Sequence, residues 1–115
     1  MEKFIFLYRG KDGGHGELSP DQMQKHMQKW MAWMGGLAQK GIMGASEPLK
    51  PTGKQVTGTK KIITDGPFVE AKEMVGGFTV VSAKDINEAV ELAKGCPIFE
   101  VGGKLEVRPL QKMEM

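Results

Sequence analysis

Ser19-Pro20 opens the clearest helix in this chain, and the helix has a single apolar stripe. Met23, Met27, Trp30, Met34, Leu37 and Ala38 recur at spacings of three and four, while Gln22, Gln24, Lys25, Gln28 and Lys29 cover the remainder. Ser19 is a good N-cap, Pro20 suits the first helical position, and Asp21 follows in the first turn. Gly35-Gly36 weakens the helix by about 1 kcal/mol per glycine relative to alanine. The stripe nevertheless continues through Leu37, and Gly41 is the expected stop. A one-sided helix of this kind has to bury its stripe against another layer.

The remaining segments supply that layer. Phe4 to Tyr8 is apolar and β-rich throughout, as in a central strand, with Phe4, Phe6 and Tyr8 on one face and Ile5, Leu7 and Arg9 on the other. Gly10 to Gly16, with four glycines in seven residues, is a loop. Ile42 to Ala45 reads as a short strand followed by irregular chain. Gln55 to Thr64 reads as a hairpin turning at Gly58-Thr59. Phe78 to Ser82 is a strand rich in β-branched residues. Ile86 to Lys94 is a second helix, capped by Asp85 and ended by Gly95, with Ile86, Ala89, Val90 and Ala93 as its apolar face. Lys104 to Leu110 alternates as a strand buried on one side. The order is an α+β, ferredoxin-like split βαβ arrangement, an antiparallel sheet with both helices on one face. A bare apolar sheet face would aggregate. A second copy packed sheet to sheet is the economical cover, so a homodimer is expected.

All 115 residues fit one domain, 1–115, with 40% hydrophobic and 26% charged residues. The net charge of +2, from 16 basic and 14 acidic residues, offers no footprint for nucleic acid or an anionic membrane. The N-terminal apolar run is too short for a signal peptide or a span. The single cysteine, Cys96, forms no intrachain disulfide and fits a reducing, cytoplasmic setting. No histidine pair at helical spacing, zinc-type cluster, Walker loop or nucleophilic serine elbow is present, so no metal and no cofactor are expected.

Thr64-Asp65-Gly66-Pro67-Phe68-Val69-Glu70-Ala71-Lys72-Glu73, followed by Gly76-Gly77-Phe78, strongly resembles the DGPF-domain branch of the YCII-related proteins. The pattern there is roughly TDGPFAETKE, a short gap, then GGF. The Ser-Pro-opened helix, the helix ending in Cys96-Pro97 and the final Glu106-Val107-Arg108-Pro109 strand agree, so the resemblance covers nearly the whole chain. It implies a dimeric α/β-barrel and no particular reaction. Some relatives are encoded near or fused to sigma factors, and more distant ones sharing the barrel include lactone isomerases and monooxygenases.

Physically, Asp65-Gly66-Pro67-Phe68 reads as a rigid strand-ending turn in which Asp65 caps backbone N–H groups. The sharper reading makes Asp65 a pocket carboxylate acting as a general base. His26 falls beside Trp30 and Leu37 on the stripe's edge. It is either a histidine hydrogen-bonded at the helix–sheet seam or an acid/base group. Asp65 and His26 are thus the catalytic candidates, and the enzyme reading requires them to share one cavity. Tyr8, Arg9, Trp30, Phe68 and Lys72 are the candidate ligand contacts. Trp33, nearer the stripe's edge, suits a pocket wall or a dimer seam. The expected function is binding of a small, partly apolar molecule in a helix–sheet cleft, with acid/base chemistry as its extension. The alternative is a non-catalytic interaction or regulatory module linked to sigma-factor-dependent transcription, marked by an exposed apolar patch.

Overall fold

The computed structural model of the chain describes residues 1–10, 18–65 and 74–113. Their order is β1 (Glu2–Gly10), α1 (Pro20–Gln39), β2 (Met43–Pro48), β3 (Lys54–Thr57), β4 (Ile62–Asp65), β5 (Met74–Ala83), α2 (Ile86–Ala93), a 3-10 turn (Pro97–Val101) and β6 (Lys104–Pro109). Four strands form one sheet in the order β2-β5-β1-β6, and β3 and β4 pair separately as a two-stranded hairpin. All pairings are antiparallel. With the hairpin set aside as an insertion, this is the ferredoxin-like split βαβ order, α1 and α2 crossing one face of the sheet.

Register fixes which side chains meet the helices. Phe4 pairs with Val81, Phe6 with Thr79 and Tyr8 with Gly77, and directly opposed residues share a face. Phe4, Phe6, Tyr8, Thr79 and Val81 are all buried. The alternate positions Ile5, Leu7, Phe78 and Val80 pair on the other face and are half-buried.

α1 begins as its sequence dictates. The Ser19 hydroxyl accepts from Gln22 N–H, and the Gln22 side chain accepts from Ser19 N–H in return, a complete capping box. The helix is rolled from the expected orientation, however. Its innermost line is His26, Trp30, Trp33 and Leu37, whereas Met27 and Met31 are exposed at 42% and 72%. At the helical 100° per residue this is a rotation of roughly 60° from the methionine-centred stripe. The cause is the pair of indoles. Trp33 lies against Phe6 with centroids 6.1 Å apart, and its N–H donates to the Leu92 carbonyl at 3.1 Å, tying α1 to α2.

α2 is capped as expected, Asp85 accepting from Glu88 N–H at 2.9 Å. Only Ala89 and Ala93 of its expected apolar face are buried, while Ile86 and Val90 are exposed. The small alanines let the helix lie close on the sheet, and that turns the larger residues outward. β2 runs later than the expected Ile42 to Ala45 and ends on Pro48, which an edge strand tolerates.

Candidate functional site

β5 changes pairing beside Tyr8: Tyr8 opposes Gly77 and Arg9 opposes Val75, leaving Gly76 as an extra residue in the ladder. The Leu49 N–H donates to the Gly76 carbonyl at 2.9 Å, holding the bulge against the end of β2. Gly77 has no room for a side chain, because a Cβ would come within 2.9 Å of the Glu47 carbonyl oxygen and 3.5 Å of the Tyr8 ring. Two glycines here leave space between the sheet and α1. That space is a cavity of about 250 Å³. Among the described residues it is walled by Met27, Trp30, Met31 and Met34 from α1, and by Tyr8, Ser46 and the Gly76–Phe78 stretch from the sheet.

The cavity's polar component is a line of hydroxyls. Tyr8 Oη lies 2.6 Å from Thr79 Oγ1, which lies 2.7 Å from Ser46 Oγ, and Ser46 Oγ is 3.9 Å from Met34 Sδ. Burial pushes the Tyr8 phenol well above its ordinary value, outweighing the opposing influence of the Thr79 hydrogen bond. Tyr8 is therefore a neutral hydroxyl near pH 7, a hydrogen-bonding group and not a base. Strand alternation turns Ser46 toward the helices with Thr79, and Glu47 toward the opposite face with Phe78.

Trp30 links the cavity to His26. The Tyr8 and Trp30 rings meet edge to face with centroids 4.7 Å apart, the favourable quadrupolar arrangement. On its other side the Trp30 N–H donates to His26 Nε2 at 2.9 Å. An indole only donates, so His26 Nε2 is an unprotonated acceptor and the ring's proton sits on Nδ1. His26 Nδ1 lies 4.0 Å from Glu100 Oε2, and Glu100 is itself paired with Lys29 at 3.1 Å. His26 is buried, and among the described residues it does not line the cavity. Its geometry fits the seam reading, with the nitrogen lone pair engaged by Trp30.

The candidates thus separate. Tyr8 and Trp30 converge on the cavity. Arg9 points to the opposite sheet face, its Nε 2.8 Å from Glu106 Oε1. Asp65 ends β4 in the separate hairpin, where its largely exposed carboxylate pairs with Lys54 Nζ at 3.0 Å, a contact of little energetic weight. Among the described residues that wall the cavity beside Tyr8, neither Asp65 nor His26 is found. Phe68 and Lys72 lie outside the described residues, as do Gly66, Pro67, Glu70 and His15. Trp33 packs on Phe6 and also stands in the wall of a second, more open pocket with Lys94, Gly95 and Cys96, not in the cavity beside Tyr8. Ser46 and Thr79 carry no signal of such contact in the sequence. The α1 methionines Met27, Met31 and Met34, able to line an apolar pocket but favoured as core by their helical spacing, stand at the cavity wall. Gly76-Gly77 interrupting a β-rich run was the one local signal for this location.

Among the described residues no three His, Cys, Asp or Glu side chains converge as metal ligands, and no helix is long and apolar enough to cross a membrane. Cys96 is buried, and burial pushes its thiol up to about 12, which keeps it protonated near pH 7.

Sheet order and cavity together define a small α+β domain whose helix–sheet seam opens on an apolar pocket that the Tyr8 and Ser46 hydroxyls reach. The chain belongs to the YCII-related domain family, whose model matches residues 3–114. It is similar to an uncharacterized protein from Rhizobium meliloti (strain 1021), 29% identical over 97 residues covering 80% of this chain and 78% of the relative. Among solved structures it is similar to the 5-chloro-2-hydroxyhydroquinone dehydrochlorinase from Burkholderia phenoliruptrix AC1100, in complex with 2,5-dihydroxybenzoquinone. The identity is 20%, the match covers 93% of each chain, and the TM-score is 0.47.

Proposed function

We propose that this chain binds a small, uncharged, largely apolar molecule in the cavity between α1 and the β2–β5 side of the sheet, with Tyr8 and Trp30 as its principal contacts. The observation that carries the reading is the lining itself: one indole, three methionines and a glycine-floored bulge around about 250 Å³. Methionine adapts to irregular apolar shapes, and a concave apolar wall with few polar groups is the usual form of a small-molecule site. No carboxylate or imidazole of the candidate pair opens onto this space, so the reading commits to binding. Native mass spectrometry of the protein isolated from lysate tests it, with Ser46→Trp as the blocked control. A small molecule retained by the native chain and absent from the variant supports the reading. A bare protein mass, with the Met27, Met31 and Met34 methyl NMR signals unmoved by a panel of neutral aromatic compounds, overturns it.

The same reading includes a homodimer in a reducing, cytoplasmic setting. Half-buried Ile5, Leu7, Phe78 and Val80 form an apolar centre on the helix-free sheet face, flanked by the Arg9–Glu106 pair. A second copy would cover it. Light scattering of the native chain and of Leu7→Lys checks this, the expected result being a dimer that becomes monomeric.

One observation favours a second reading, the interaction module. Every residue of β3 and β4 is exposed, including Lys54, Val56 at 63%, Ile62 at 59% and Ile63 at 62%, and Lys60 and Lys61 are exposed in the turn between them. A two-stranded hairpin is marginally stable alone in water, so covering by a protein partner would stabilise it. Hydrogen exchange of the hairpin amides in purified protein against lysate tests this. Protection gained only in lysate supports the module, and equal exchange removes it.

A further inference from the structure

We propose that the molecule held in this cavity is a flat, neutral hydrocarbon ring bearing a hydrogen-bond acceptor, and that Ser46 Oγ–H is the donor that recognises it. The inference rests on the binding reading above and narrows it to a ligand class.

The argument is a count of hydrogens. Tyr8, Thr79 and Ser46 each carry one hydroxyl hydrogen and are linked by two bonds, of 2.6 and 2.7 Å. Two hydrogens are used in the links, and the third stands at one end of the line, or on Thr79 if Thr79 accepts from both neighbours. Thr79 is fully buried and, among the described residues, has no further acceptor for it, so that arrangement is costly. If the line ran from Ser46 toward Tyr8, the spare hydrogen would sit on a buried phenol whose hydroxyl, among the described residues, bonds Thr79 alone. A buried donor without an acceptor is costly. Run the other way, Tyr8 donates to Thr79, Thr79 donates to Ser46, and the spare hydrogen is on Ser46. There it meets Met34 Sδ at 3.9 Å, a weak acceptor, at the wall of the cavity. The resting polarity of the line therefore presents one under-used donor to the cavity.

The rest of the lining narrows the partner. Among the described residues Glu47 is the one charged residue of the wall, and strand alternation directs its side chain toward the opposite sheet face, so no described charge favours an ion. A volume of about 250 Å³ is below the roughly 300–1,000 Å³ of sites for drug-sized molecules, which suits one or two fused rings. Trp30 and the three methionines offer rings and thioethers to a flat apolar face.

The test uses a matched pair, indane and 1-indanone, which differ by one carbonyl on the same skeleton. Binding to the full-length protein is followed by titrating the [13C-methyl]methionine signals of Met27, Met31 and Met34. The native chain is expected to bind 1-indanone about five- to tenfold more tightly than indane, the usual worth of one hydrogen bond. Ser46→Ala is expected to bind both equally, and Ser46→Thr to restore the preference. Equal binding of both compounds by the native chain overturns the Ser46 assignment while leaving the cavity reading intact. A preference that survives in Ser46→Ala overturns it equally. If neither compound moves the three methyl signals, both the assignment and the binding reading fall.

Discussion

Thr79→Val is the substitution that most directly interrogates how this site is built. Thr79 is fully buried, and its hydroxyl is the hub between Tyr8 Oη at 2.6 Å and Ser46 Oγ at 2.7 Å. Valine nearly matches its shape, so no appreciable cavity opens and the effect isolates the hydroxyl. The change leaves the Tyr8 hydroxyl buried without its partner, which costs about 1–3 kcal/mol. Ser46, half-buried at the cavity wall, can turn toward that space and adds little. The expected loss is therefore about 2 kcal/mol. Tyr8→Phe differs because Thr79 keeps its bond to Ser46, so the loss is about 1 kcal/mol. In the double variant the stranded phenol is gone, and the cost should be about 1–1.5 kcal/mol, not the additive 3. The coupling of about 1.5 kcal/mol lies well outside the roughly 0.3–0.5 kcal/mol scatter of independent sites. Urea unfolding followed by far-UV circular dichroism measures all three. Thermal melts should show Thr79→Val lower by about 8–10 °C, given a shift near 4–5 °C per kcal/mol for a domain of this size. Additive losses, or a Thr79→Val variant as stable as the native chain, would refute the hydroxyl line as a structural unit.

Other outcomes follow from the same geometry. Cys96 rises from 9.0 to about 12, and Tyr8 is also raised. The native state then keeps protons that the unfolded chain loses, so stability is fully present below about pH 9 and falls as pH rises toward 12. Urea midpoints at about pH 8 and about pH 10.5 should diverge, and less so in Cys96→Ala. Gly77→Ala places a Cβ 2.9 Å from the Glu47 carbonyl oxygen, a backbone atom with little freedom to yield. It should cost about 1–3 kcal/mol by chemical denaturation. His26→Leu removes the acceptor of the Trp30 N–H and should cost about 1–2 kcal/mol, with a shift in the tryptophan emission maximum. His26→Gln, which retains an acceptor, should recover part of both.

What was legible in the sequence follows from how local each signal is. Ser19-Pro20, Asp85 and the glycines after each helix act within one turn, and the two helices stand where those residues put them. In β1, Phe4, Phe6 and Tyr8 are large and strictly alternate, so its inward face was readable directly. The roll of α1 was not, because a stripe drawn by hydropathy ranks methionine above histidine. Burial here follows the area of the two indoles and the acceptor that Trp30 needs, which brings His26 inside. Asp65 attracted attention by its motif, and a motif marks a family without saying which cavity its residues face; the hairpin carries this carboxylate to an exposed pair with Lys54. Ser46 and Thr79 lie 33 residues apart and meet only through the β2–β5 pairing. No periodicity announces a polar residue turned inward on a strand. The glycine pair is different. Gly76-Gly77 breaks a strand otherwise rich in β-branched residues, and such a break marks a bulge or a neighbour that needs the room. Here both hold: the bulge is at Gly76, the neighbours of Gly77 are the Glu47 carbonyl and the Tyr8 ring, and the space they leave toward α1 is the cavity.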